Sequence, residues 1–454
     1  MTRALKVGLA LLLAGSMWYY FAAVLIPHQQ KEAAVKHIPQ GNSSDLYPRW
    51  LGARELLLHG RDPYGAEITR EIQLGYYGEI LDGKRPNAPK DQQGFAYPAY
   101  VVFLLAPTVI VPFSALRYVF RLLLIVLAAA SVPLWIRALG LRLQRTTEVI
   151  ITLLVLGSAP FIYGLFLEQL TLLVCFMIAA CCAALASRRF VTAGILLALS
   201  TIKPQLAIGV VAWLGLWTLS DWRRRKKLAG TFVLTMALLW LGSELLLPGW
   251  FGRWWVALHA YASYNDMRSL LEILLGKYAG LLISVLIGCG VAWVFWEARR
   301  SVPGSASFNL ALLSVLAASL LIKPMFLLYD LVIVLPVVIW LFAIRKVLWQ
   351  RSRPVRDVFL TSALLLGWQW ISVVALVMVS LVSPARAERG WALPGVGMLL
   401  LPAALACLLG LLALDLGKEK ALSQAVTSLP PRWPGVAGEE MARASASAGE
   451  WHDG

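Results

Sequence analysis

Acidic residues are scarce in this 454-residue chain: 25 Asp and Glu stand against 41 Lys and Arg, and charged residues of both signs make up only 15% of it. A share of 59% apolar residues and a mean hydropathy of +0.70 exclude an ordinary soluble protein, whose apolar share is about half. There are five cysteines, Cys175, Cys181, Cys182, Cys289 and Cys407, all inside apolar runs, where neither a disulfide framework nor a metal cluster is expected. The five histidines show no ligand spacing and no Asp-x-Asp pair occurs, so no metal site and no cofactor are expected. The net charge of +16 does not argue for a nucleic-acid partner, because the basic residues cluster in short loops between apolar segments, as the positive-inside rule requires.

What is present is a series of apolar segments, which predicts an all-α polytopic membrane protein with about twelve transmembrane helices and a large first extracytoplasmic loop. Arg3 and Lys6 precede an apolar run from Val7 to Ile26, long enough to span the bilayer and lacking an A-x-A-like cleavage site, so residues 1–26 read as an uncleaved first helix. Residues 27–97 then form the outer loop, residues 98–417 the multi-helix membrane domain, and residues 418–454, rich in Ala, Ser, Gly, Pro and Glu, a disordered cytoplasmic tail. Residues 98–136 must make an odd number of crossings to bring Arg137, Arg142 and Arg145 to the cytoplasm, with one of their two apolar pieces re-entrant or interfacial. The basic loops at Arg188-Arg189, at residues 223–227, at Arg299-Arg300 and at residues 345–356 set the remaining crossings.

The polar residues concentrate on the outer face. In the first loop, Leu46, Trp50, Ala53, Leu57 and Leu58 recur at helical spacing with Arg49, Arg54 and Glu55 on another face, predicting an amphipathic helix on the membrane that Gly60 ends. Asp45 precedes that helix, where it suits either an N-cap or a catalytic base. Two tripeptides, Ile202-Lys203-Pro204 and Ile322-Lys323-Pro324, fall at the outer apices of short hairpins. A lysine in an apolar span costs about 3 kcal/mol at mid-bilayer, so each marks either an interfacial anchor or an anion site, and two on the side of Asp45 favour the anion site. Glu168-Gln169 lies at an outer turn. Tyr329-Asp330 sits within an apolar helix, either as a functional acid or as a structural partner of Lys323.

These motifs, in order, are Asp45-Leu46-Tyr47 through Gly60-Arg61-Asp62-Pro63-Tyr64, Phe95-Ala96-Tyr97-Pro98, Glu168-Gln169, Ile202-Lys203-Pro204-Gln205 and Tyr329-Asp330-Leu331. The set resembles glycosyltransferase family 87, over roughly residues 40–345. The chain departs from the family pattern in having Glu168 where a Gly usually precedes the Gln, and Tyr329 in place of a late His. The resemblance implies a GT-C-like bundle that takes mannose or a related sugar from a polyprenyl-phosphate donor to a glycan or glycolipid acceptor, at the extracytoplasmic face of the plasma membrane. It further implies that Asp45 is the base, that Lys203, Lys323 and Arg49 meet the donor phosphate, and that Glu168, Gln169, Gln205, Asp62, Tyr329 and Asp330 hold sugar or acceptor. One base and an in-line displacement give inversion at the anomeric carbon. The competing classes are a transporter or flippase of lipid-linked sugars or other amphiphiles, which ordinarily shows repeated halves and midplane charges, and a non-catalytic membrane subunit.

Overall fold

The computed structural model describes residues 2–82, 84–85 and 88–415; the tail expected to be disordered lies outside them. Among the described residues every regular element is a helix. Six helices among the described residues are long and apolar enough to cross a membrane: Arg3–Val35, Phe113–Ala138, Trp222–Leu246, Lys277–Ala298, Arg353–Val382 and Pro384–Leu414. The pair Arg145–Leu156 and Ala159–Phe166, bent by 52°, makes a seventh if counted as one span. Five shorter apolar helices, Leu170–Ala186, Phe190–Ser200, Pro204–Leu219, Ala306–Ile322 and Leu328–Ala343, complete the set. At about 1.5 Å per residue these five fall short of a hydrocarbon core about 30 Å thick. Non-helical backbone at their ends is tolerated at membrane depth only inside protein.

The helix Ala306–Ile322 is buried on nearly every side, as befits a segment apolar all round. Phe308 near its start meets Trp213 and Trp217, with ring centroids 5.5 and 5.6 Å apart. The basic loops share one end of the bundle: Arg225 donates to the carbonyl of Arg299 at 3.1 Å and stacks over the Trp217 ring at 3.7 Å. Asn309 joins the same end to the loop after Phe113–Ala138 by donating to the Leu139 carbonyl at 3.0 Å.

Two expectations are revised and one is narrowed. The first helix runs on past residue 26 to Val35 through a π-helical turn, Phe21–Leu25. Residues 98–112 contain only a five-residue helix, Val101–Leu105, and a 3₁₀ turn, Ala106–Thr108, so Phe113–Ala138 is the one helix in that region long and apolar enough to cross. The helix Tyr47–His59, closed by Gly60 at φ +67°, is not a surface helix with one apolar face. Leu58 is exposed, whereas Glu55 is buried, because Arg61 pairs with it at 2.7 Å and supplies the charge that burial requires.

That helix is fastened to the bundle by aromatic and polar contacts. Tyr47 and Trp50 pack on Phe113 with centroids 4.8 and 5.2 Å apart, and Trp50 donates to the Thr108 carbonyl at 3.2 Å. On its other side, Tyr47 lies over Gly75 of the helix Ala66–Tyr77, where a Cβ would come within 2.2 Å of the tyrosine ring. The loop that carries Asp45 is thereby set against two helices before any site residue is considered.

Candidate functional site

Residues 41–46 form a strap pinned at both edges. On one side the amides of Gly41 and Asn42 donate to the carbonyls of Tyr76 and Gly75, each at 3.1 Å. On the other, the amide of Asp45 donates to the carbonyl of Leu167 at 2.9 Å. A Cβ at Gly41 would lie within 2.7 Å of three backbone atoms of residues 75–78, so only glycine permits this approach.

Asp45 does not cap the following helix. The cap residue is Leu46, whose amide donates to Ser44 Oγ at 3.2 Å. The Asp45 carboxylate is left for other partners: Gln169 Nε2 donates to its Oδ2, and Tyr76 Oη makes a long contact of 3.5 Å with its Oδ1. Burial raises the Asp45 pKa above the usual carboxylate value, against the opposing pull of Arg49, the Gln169 bond and Lys203.

From Gln169 a continuous polar chain runs inward. Its amide oxygen accepts from Lys203 Nζ at 3.2 Å, and the same ammonium donates to Thr171 Oγ1. Thr171 Oγ1 donates in turn to Asp330 Oδ1 at 3.2 Å, an oxygen that Lys203 approaches to 3.8 Å. Asp330 Oδ2 pairs with Lys323 Nζ at 2.6 Å. The short helices explain this convergence. Pro204 starts one helix directly after Lys203, Ile322 ends another before Lys323, and Asp330 sits in the 3₁₀ stretch Leu328–Val334, so three chain breaks converge here. Lys323 and Asp330 pair across the break between Ala306–Ile322 and Leu328–Val334, not within one helix.

Aromatic groups close the cluster. Lys203 Nζ lies 4.9 Å from the centre of the Tyr329 ring, which stacks on Tyr163. Arg49 donates to the backbone carbonyl of Asp45 at 2.7 Å and lies 4.6 Å from the centre of the Tyr97 ring; its Nε is buried and has no protein partner. With all groups ionised, three carboxylates, Asp45, Asp91 and Asp330, face three cations, Arg49, Lys203 and Lys323, so the charges balance.

Glu168 turns away from this cluster. Its buried carboxylate accepts from Ser44 Oγ and pairs with Arg117 at 3.0 Å and Arg121 at 2.6 Å. Its backbone is left-handed, φ +53°, a conformation that favours glycine. The chain's departure from the usual Gly thus falls at a position where Gly would be unstrained, and the glutamate meets the strain with three partners. Asp62 is also outside the cluster, paired with Arg253 at 2.5 Å, and Gln205 is exposed on the first turn of Pro204–Leu219.

Sequence reasoning missed Thr171, Tyr76 and Asp91. Thr171 carries no signal beyond its place two residues after Gln169 in an apolar run. Asp91 lies in a Gly- and Pro-rich stretch read as open surface, yet burial raises its pKa, while the Gln93 backbone amide and the field of Arg49 lower it. Among the described residues no three His, Cys, Asp or Glu side chains gather as a metal-binding group would.

Comparison with known proteins gives one match: the family model described as "Glycosyltransferase family 87" matches residues 95–328, just over half of the chain. That range contains Gln169, Lys203 and Lys323; Asp45 and Arg49 precede it, and Tyr329 and Asp330 follow it. No curated protein and no solved structure matches the chain.

Proposed function

As this chain belongs to glycosyltransferase family 87 and is a membrane glycosyltransferase, we propose that it moves mannose or a related sugar from a polyprenyl-phosphate donor to a glycan or glycolipid acceptor at the extracytoplasmic face of the plasma membrane. The observation that carries this reading is the Asp45 carboxylate, spared from capping and tied through Gln169 to the Lys203 ammonium. A base and a cation linked by one amide suit a reaction in which a proton is removed while a phosphate departs.

In the proposed step the acceptor hydroxyl gives its proton to Asp45 as its oxygen bonds to the anomeric carbon. The bond from that carbon to the phosphate oxygen breaks, its electron pair leaves with polyprenyl phosphate, and the anomeric configuration inverts. A general base contributes about 100- to 10,000-fold. The leaving phosphate gains charge during transfer, and fixed cations in a water-poor site stabilise that charge more than bulk water does. Lys203 and Lys323 supply such charge, and the unpartnered Arg49 Nε offers a donor for a phosphate oxygen. Tyr97, Tyr163 and Tyr329 give the flat apolar surfaces on which a sugar ring packs.

The test is transfer of radiolabel from a polyprenyl-phosphate sugar into a membrane-lipid extract by purified protein. The Asp45→Asn variant is expected to lose about 100-fold or more of the wild-type rate. Equal transfer by both would remove Asp45 as the base. No transfer by either, with the lipid crossing vesicle bilayers instead, would assign the chain to the transporters.

A further inference from the structure

The site has an open side. Asp45, Arg49, Asp91, Tyr261 and Tyr264 are each partly exposed, whereas Lys203, Lys323 and Asp330 are buried, at 6%, 6% and 2%. A donor phosphate at the buried lysines leaves the open side to the acceptor, and Asp91, Tyr261 and Tyr264 stand there without a part in the transfer step.

Asp91 is a fixed carboxylate with capacity to spare. Its Oδ1 accepts from the Gln93 amide at 2.8 Å and its Oδ2 from Gln93 Nε2 at 2.9 Å. Tyr77 Oη donates to the Asp91 carbonyl at 2.8 Å and Gln73 Nε2 to Gln92 Oε1 at 2.9 Å, so the loop is fastened to the helix Ala66–Tyr77. Among the described residues no Lys or Arg forms an ion pair with Asp91, and each of its oxygens, holding one donor, can take another.

The helix Trp250–Tyr264 brings two tyrosines to the same place. Burial raises the Tyr264 pKa and the charge of Asp91 raises it further, with Arg49 opposing, so the three groups lie within electrostatic reach of one another. The same groups act on Tyr261, which Asp45 also influences. The two tyrosine rings meet edge to face with centroids 5.6 Å apart, and Tyr261 Oη donates to Met325 Sδ at 3.3 Å. The Met325 carbonyl in turn accepts from Lys323 Nζ at 2.6 Å, so one residue joins the tyrosine pair to a donor cation.

We infer that Asp91 and Tyr264 bind the acceptor and that its reacting end is a sugar ring: the apolar face of the ring lies on Tyr264, one hydroxyl gives its proton to Asp45, and a neighbouring hydroxyl donates to Asp91. The inference rests on the sugar-transfer reading above and assigns that reading its acceptor subsite. Ionised carboxylates only accept hydrogen bonds, so two of them on one open side call for an occupant with two donors close together. A sugar carries hydroxyls on adjacent carbons. A serine or threonine side chain brings one and leaves Asp91 desolvated without a partner, which is costly. Tyrosine offers a flat, rigid surface that loses little entropy on contact. Tyr261 is a positioning residue that braces the Tyr264 ring.

The test measures initial rates of label transfer from the polyprenyl-phosphate sugar, first over dilutions of membrane-lipid extract and then over donor concentration, at a pH where Asp45 is ionised. Asp91→Asn and Tyr264→Ala are each expected to raise the KM for extract about tenfold and to leave the donor KM unchanged. Tyr264→Phe, which keeps the ring, is expected to retain the wild-type value. A merely structural role would lower kcat through loss of active protein and would not split the two KM values. Periodate, which cleaves the carbon bond between neighbouring hydroxyls, is expected to destroy the acceptor capacity of the extract. Undiminished transfer to periodate-treated extract, or an extract KM unmoved in Asp91→Asn and Tyr264→Ala, would overturn the subsite and leave the transfer reading standing. Absence of transfer by the wild type would remove both.

Discussion

Ser44 Oγ donates to the Glu168 carboxylate, and this bond fixes the residue immediately before Asp45 to the residue immediately before Gln169. The two members of the Asp45–Gln169 contact are thus tethered a second time, one position upstream in each chain segment. Arg117 and Arg121 hold the tether from the helix Phe113–Ala138.

Substituting Glu168 tests this arrangement. Glu168→Ala leaves two guanidinium groups short of a carboxylate and keeps a left-handed backbone. Breaking a buried ion pair costs about 3–5 kcal/mol, and the low end applies because Arg117 and Arg121 are 27% and 30% exposed and can hydrate. Glu168→Gly loses the same contacts but relieves the backbone, by about 1 kcal/mol. Thermal melting in detergent is expected to rank wild type above Glu168→Gly and that above Glu168→Ala, with sugar transfer reduced in both variants.

The pH dependence of transfer follows from Asp45. A base acts when ionised, and burial lifts its pKa above the free value of about 3.9, so the rate is expected to rise with pH through an inflection above that value. The charge of Asp91 contributes to the lift. Asp91→Asn is therefore expected to move the inflection to lower pH, and an unmoved inflection would dissociate the two acids. The linkage has the opposite sign for stability: a raised folded pKa gives stability that is complete below the unfolded pKa and is lost as pH rises through the folded one.

The pair of Lys323 and Asp330 is expected to behave as a unit. Asp330→Asn alone leaves Lys323 unmatched in a buried place, costing about 3–5 kcal/mol, and Lys323→Met costs less because Lys203 still approaches Asp330 at 3.8 Å. The double variant is expected to lose less than the sum, by about 0.5–3 kcal/mol, as contacting residues do in a double-mutant cycle. Simple additivity in thermal melts would place the two charges in separate networks.

Asp62 offers the contrasting case. Its partner Arg253 is 46% exposed and Asp62 31%, which limits the pair to about 0–1 kcal/mol. Arg253→Gln is expected to leave both melting temperature and transfer close to wild type. A large loss of transfer would return Asp62 to the sugar-binding group in which the family resemblance placed it.

The sequence displayed the charged members of the cluster because charge in an apolar chain is conspicuous: Lys203, Lys323 and Asp330 stand out against their neighbours, and Asp45 begins the one long polar loop. It did not display who pairs with whom. Thr171 is silent because a hydroxyl in an apolar helix looks the same whether it bonds its own backbone or a distant ammonium. Glu168 and Gln169 are adjacent and equally polar, yet a left-handed backbone at Glu168 sends their side chains to different partners, and no local propensity announces that turn for a glutamate. The placement of Glu55 failed for a related reason. Helical periodicity sorts residues by polarity, and an ion pair with Arg61 removes the penalty that the sorting assumes.

The seven-residue separation of Lys323 and Asp330 sets the cost of bringing them together. A loop this short closes at small entropic cost, so this pair forms within one stretch of chain, whereas Lys203, on a different hairpin, reaches Asp330 only across the fold, at 3.8 Å.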